Sequence, residues 1–212
     1  MNFKLAAGLL AGGLLTAAPA FSTTIGFEGV ANGYGSIADY YNGGQDIPAI
    51  GPASSGPNYG VHFGLDLIAV DDPGHLNFAN DPAPGTSVMG VGGNGGDYAM
   101  TTANGFYGLS FLYSATTDTS VTVSFATGPA QIYSLAANAG SCDLANGPAF
   151  CMWSTANLDL ANRIATGINF GATFGVATFD NVNVTPVPAP AAAWLVLSAL
   201  GGLGVIRRKL AA

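Results

Sequence analysis

Val61-His62-Phe63-Gly64-Leu65-Asp66-Leu67 alternates apolar with small or polar residues without a break. Successive side chains on a strand point to opposite faces, so this period of two places Val61, Phe63, Leu65 and Leu67 together. A helix would need apolar residues three and four apart, and the stretch lacks that rhythm. The same alternation recurs along the chain. Val121, Val123 and Phe125 alternate with Thr122 and Ser124, and Asp180, Val182 and Val184 with Asn181 and Asn183. Ile25 and Phe27 open the first strand. Phe106 to Tyr113 is an apolar and aromatic run of strand length, which predicts burial on both faces. Turn signals fall between these runs at Asn32-Gly33, Asn42-Gly43-Gly44, Pro73-Gly74, Asn94-Gly95, Asn104-Gly105 and Gly128-Pro129. Many short strands punctuated in this way predict an all-β domain, a sandwich or a barrel.

The two ends read differently from this body. Met1 to Ala20 has a single charge, Lys4, then the apolar run Leu5 to Leu15 and the small-residue site Ala18-Pro19-Ala20. This is the pattern of a secretory signal peptide, residues 1–20, removed by signal peptidase after Ala20. The other end, Val187 to Ala212, reads VPAPAAAWLVLSALGGLGVIRRKLAA. Pro188 and Pro190 exclude a helix interior and make a stiff extended segment. The apolar run Ala191 to Ile206 has 16 residues, rising about 24 Å as a helix. That is a marginal span of the roughly 30 Å hydrocarbon core. Trp194 suits one interface, and Arg207, Arg208 and Lys209 can snorkel at the other and stay cytoplasmic. Residues 187–212 thus read as one transmembrane helix, 191–206, with a basic stop, and the domain between the two ends is 21–186. Gly201 and Gly204 lack the four-residue spacing of a membrane dimerisation motif.

Charge separates the parts further. Four of the five basic residues lie in the terminal segments, so residues 21–186 hold Arg163 alone against all twelve acids, a net of −11. A phosphate backbone needs Lys and Arg, so nucleic acid is excluded as a partner. An acidic surface suits cations, and it also keeps a protein soluble and apart from its copies. Cys142 and Cys151 lie nine apart in a loop-like stretch. In an oxidising compartment they are expected to form one local disulfide, contributing ~2–3 kcal/mol. Their spacing fits neither a redox CxxC nor a zinc site.

Val187-Pro188-x-Pro190, the following Ala-Ala-Ala-Trp-Leu, the small residues Ser198, Gly201 and Gly202, and the basic end together resemble the PEP-CTERM sorting signal. Ala189 stands where that family's name has Glu, a variant that leaves open which sorting enzyme reads it. The resemblance implies export across the inner membrane of a Gram-negative bacterium, processing by an exosortase, and association with exopolysaccharide or biofilm. The alternative is an ordinary C-terminal anchor that is never cut. Phe27-Glu28-Gly29-Val30, Tyr41-Asn42-Gly43-Gly44 and Tyr59-Gly60-Val61-x-Phe63 are also similar to phrases in exported proteins bearing this signal. Acids in the first and last strands, Glu28 and Asp180, resemble an arrangement in carbohydrate-binding jelly rolls. That likeness implies a jelly-roll-like β-sandwich and a structural calcium held by Glu28 and Asp180.

Other constellations are weaker. Asp71 and Asp72 offer a second carboxylate cluster or an Asx turn before Pro73. Gly92-Gly93-Asn94-Gly95-Gly96-Asp97 fits one copy of a calcium nonapeptide, but that motif works by stacking and one copy has no neighbour to share an ion. Tyr34, Tyr40, Tyr41 and Tyr59 offer a glycan-stacking surface or ordinary strand-end packing. A glycosidase needs paired carboxylates, and Glu28 is the single glutamate. A serine hydrolase needs a nucleophile elbow, and neither His62 nor His75 accompanies one. The expectation is a non-catalytic envelope or matrix protein, with a calcium-stabilised carbohydrate-binding module as the alternative.

Overall fold

The structure is a computed structural model that describes residues 22–30, 34–71, 87–92, 95–139 and 149–187. The signal peptide, the sorting signal beyond Val187 with its helix 191–206, Asp72, His75 and Cys142 lie outside the described residues. Residues Ala20–Val187 form one compact unit.

Its strands are β1 (Thr23–Ile25), β2 (Gly35–Ser36), β3 (Val61–Phe63), β4 (Leu67–Asp71), β5 (Ser87–Val91), β6 (Ala99–Ala115), β7 (Thr119–Phe125), β8 (Gln131–Leu135), β9 (Ser154–Leu158), β10 (Ala165–Asn169) and β11 (Ala177–Pro186). All belong to one antiparallel hydrogen-bonded sheet with the order β2-β4-β5-β11-β6-β10-β7-β8, to which β1 adds on β11 and β3 and β9 add on β6. The all-β expectation holds. The helical content among the described residues is one 3-10 turn, Gly171–Thr173. No helix among them is long and apolar enough to cross a membrane.

β6 organises the sheet. Its first half pairs with β3 and β10, and its second half with β9 and β11. Asn104-Gly105, expected to be a turn, lies inside this strand. Gly105 has φ +75°, and a Cβ there would sit 2.7 Å from the Ala165 carbonyl oxygen. A left-handed glycine pressed against the neighbouring strand makes a bulge that bends β6 without ending it. The ladders slip at the same level, between Ala165 and Gly167 in β10 and between Thr185 and Pro186 in β11.

Two other readings are corrected. Residues 61–67 are two strands, not one. The chain turns between them, with the Leu67 N–H donating to the Gly64 carbonyl at 3.0 Å. Leu65 consequently faces solvent while Asp66 is buried. The run 106–113 buries one face, with Phe106, Leu109, Phe111 and Tyr113 inside and Tyr107 exposed. β7, in contrast, alternates as read, with Val121, Val123 and Phe125 inside.

Both halves of β6 deliver side chains to one core. Phe111 of β6, Phe170 after β10 and Phe179 of β11 meet edge to face, at centroid separations of 6.2, 5.4 and 4.8 Å. Beside them Asn138 closes the end of β6. Its Oδ1 accepts from the Ala115 N–H at 2.6 Å, and its Nδ2 donates to the Tyr113 carbonyl at 3.0 Å. An amide side chain here takes the place of one more strand residue. Asn138→Ala strips both partners and is expected to cost about 1–3 kcal/mol. A lowered urea midpoint at unchanged m-value checks it.

Candidate functional site

Of the expected calcium pair, Asp180 lies in β11 and Glu28 in the turn that follows β1. β1 and β11 do pair, with Ile25 opposite Val182, so the first and last strands are neighbours. Beyond that pair Phe27 has φ 58° and Asn181 φ 46°, and the β11 ladder slips between Asp180 and Asn183. Asp180 is 2 % exposed. Glu28 faces solvent. Calcium takes 6–8 oxygens, and among the described residues no three of His, Cys, Asp and Glu converge. Glu28 and Asp180 by themselves do not complete a calcium site.

The glycine-rich loop uses its acid on the backbone. Asp97 Oδ2 accepts from the Leu65 N–H at 3.1 Å, while Asp66 Oδ2 accepts from the Asp97 N–H at 2.9 Å. The Asp66 N–H donates to the Asp97 carbonyl at 3.1 Å, and the Gly92 N–H to the Asp66 carbonyl at 2.9 Å. This reciprocal clamp fastens the loop to the β3–β4 turn. A Cβ on Gly95 would meet Asp66 Oδ2 at 2.8 Å, which accounts for the glycine. Sequence reading missed the clamp because its halves lie 31 residues apart.

Three of the four tyrosines join one cluster. Tyr40 and Tyr41 are buried and meet edge to face at 4.9 Å. Tyr59 stacks on Tyr41 at 6.0 Å and 14°, and is 46 % exposed. Tyr34 is also half exposed. Only Tyr34 and Tyr59 therefore keep ring surface for a ligand. Beside Tyr59 is a recess of about 80 Å³ that includes Thr23, Thr102, Asn104 and Pro186. Small-molecule pockets run to roughly 300–1,000 Å³, so the recess holds a side group rather than a whole ligand. A shallow trough on another face is lined by Thr24, Ser110, Leu112, Thr155, Asn181 and Asn183. Its polar groups, set beside Phe111 and Leu112, are hydroxyls and amides, chemistry that hydrogen-bonds water and sugars alike.

Burial, and after it the neighbouring Tyr40, pushes the Tyr41 phenol far above its ordinary 10.0; Tyr59 and Asp180 add to the rise, and a backbone bond from Phe27 opposes it. The folded value lies above the unfolded one, so stability is complete below pH about 10 and declines above it. In an alkaline absorbance titration Tyr41 is expected to ionise only as the domain unfolds, after the exposed tyrosines. A single reversible step for all eight tyrosines would contradict this.

His62 is on the surface, its Nδ1 2.7 Å from Asp39 Oδ1. The His62 hydrogen bond, and then that from Asn42, holds the Asp39 carboxyl below its ordinary value. Asp39 also receives the Asn42 and Gly44 N–H groups at its carbonyl. The pair thus braces the 39–44 turn against β3. The side chain of Asp71 is not among those described. Cys151 carries no free thiol, and its expected partner, Cys142, lies outside the described residues.

What the described residues define is an all-β domain with one antiparallel sheet, an aromatic core and recesses of mixed polar and apolar lining. No family model matches the chain, and no curated protein does.

Proposed function

We propose that the chain is an exported, non-catalytic envelope or matrix protein: a jelly-roll-like β-sandwich, delivered across the inner membrane and sorted at its C-terminus by an exosortase. The observation that carries this reading is positional. The compact unit ends at Val187, and the proline-rich Val187-Pro188-Ala189-Pro190 begins there. A sorting enzyme needs such an extended segment between a folded domain and a membrane helix, followed by the basic stop that Arg207, Arg208 and Lys209 supply. The acidic composition of residues 21–186 is in keeping with a matrix role beside exopolysaccharide. In the same exported setting, Cys142 and Cys151 form the disulfide.

The test is the intact mass of the protein recovered from the envelope. Replacing Arg207, Arg208 and Lys209 together with neutral residues should leave the full C-terminus uncut and the protein in the inner membrane. Normal processing of that variant would overturn the sorting role. The second reading, a carbohydrate-binding module, is favoured by the half-exposed Tyr59 ring beside Thr102 and Asn104. Retention on the host's exopolysaccharide, lost in Tyr59→Ala, would support it. Its calcium component rests on resemblance alone. Equal melting temperatures in calcium and in EDTA would remove it.

A further inference from the structure

The two ends of the sheet are finished differently. At one end β2 is two residues long, and the Ser36 backbone is bonded to Ile47 in both directions, at 2.8 and 2.9 Å. Pro48 follows in that covering loop. At the other end β8 pairs with β7, and among the described residues no strand pairs with its outer side. Proteins blunt an open edge with charge, proline, a bulge or a cover. β8 reads Gln131-Ile132-Tyr133-Ser134-Leu135, with no charge and no proline, and keeps unbroken register with β7 over all five residues. Ile132 is 68 % exposed.

Charge marks the two ends of this edge with opposite sign. Arg163 stands at the first. It donates to the Pro129 carbonyl at 3.3 Å and to Gln131 Oε1 at 2.5 Å, with its guanidinium 3.5 Å from the centre of the Phe125 ring. It is the sole cation of residues 21–186. Asp118 stands at the second end, where it accepts from the Ala137 N–H at 2.8 Å beside the Thr119–Leu135 pair.

We propose that β8 is the seam of a two-fold homodimer, in which two copies join edge to edge in antiparallel register centred on Tyr133. Alternate residues of β8 turn their N–H and C=O groups outward, and a second β8 satisfies them. The antiparallel arrangement carries each Arg163 toward Asp118 of the other copy, twice. A parallel arrangement would set Arg163 by Arg163 and Asp118 by Asp118. With −11 on each domain, an orientation that brings the lone cations against acids is the one repulsion leaves open.

The test uses the full chain in mild detergent, with mass read by light scattering and amide exchange read across residues 131–135. The expected result is a dimer whose 131–135 amides are protected more as concentration rises. Ile132→Lys should weaken dimerisation at least tenfold, and at monomeric dilution should leave the melting temperature unchanged. Asp118→Asn keeps the oxygen that accepts from Ala137 and removes the charge, so it should flatten the salt dependence of dimerisation. A monomer at every concentration would overturn the proposal. So would a dimer indifferent to both variants, which would be assembled elsewhere, the membrane segment included. Amides protected equally at all concentrations would mean that the chain covers its own edge, and would overturn it too.

Discussion

Phe179→Ala is expected to remove about 3–5 kcal/mol from the domain's stability. Phe179 is fully buried and its ring contacts both Phe111 and Phe170 edge to face. Its backbone is fixed between two strands, opposite Met89 of β5 and Tyr113 of β6, so the main chain cannot move inward to fill the void. The loss therefore combines transfer energy, cavity and two aromatic contacts, each worth about 0.5–1.5 kcal/mol. For a domain of this size that lowers the melting temperature by roughly 10 °C. A double-mutant cycle with Phe170→Ala should show the two changes to be non-additive, since they share one contact. A loss below about 1 kcal/mol would mean that the halves of the sheet do not meet at Phe179.

Gly56→Ala is expected to disrupt the tyrosine cluster. A Cβ at Gly56 would lie 2.2 Å from the Tyr40 carbonyl oxygen and 2.5 Å from its ring carbon Cδ1. No rotamer change relieves a clash with a carbonyl. The Gly56 N–H donates to the Gly44 carbonyl at 3.2 Å, so the segment is held where it is. Tyr40 cannot retreat either, because Tyr41 abuts it and Phe27 and Phe63 lie behind Tyr41. Overpacking of this kind costs about 1–3 kcal/mol and occasionally more. The near-ultraviolet circular dichroism of the tyrosines should weaken along with the melting temperature. An unchanged spectrum would show that the 52–57 loop is free to lift away.

Strand content was legible because period two survives where one face is buried, as in β7 and in residues 182–185 of β11. Residues 61–67 misled for a reason internal to that rule. Gly64 and Asp66 fit an alternating pattern, yet they carry a turn, and what fixes it is Asp97, far along the chain. Asn104-Gly105 misled in the opposite sense, since a left-handed glycine serves a bulge as well as a turn. The pairing of the first strand with the last was legible in the sequence, although Glu28 lies in the turn after β1. The environments of the two acids were not legible, because whether Asp180 faces the core depends on the register step beside it. Asn138 and Arg163 gave only composition as a signal: a lone cation in an acidic domain is a residue with a specific station.

Strand β11 bears on the order in which the molecule can assemble. It lies between β5 and β6, and it carries β1 along its edge. Earlier strands can pair among themselves, β2 with β4 and β4 with β5, but that group joins β6 only through β11. Long loops must be gathered before these pairings reward the chain, which makes such folding slow. The sheet can be completed only when Ala177–Pro186 has been made. Closure of the sheet is thereby deferred until nearly all of the domain has been synthesised.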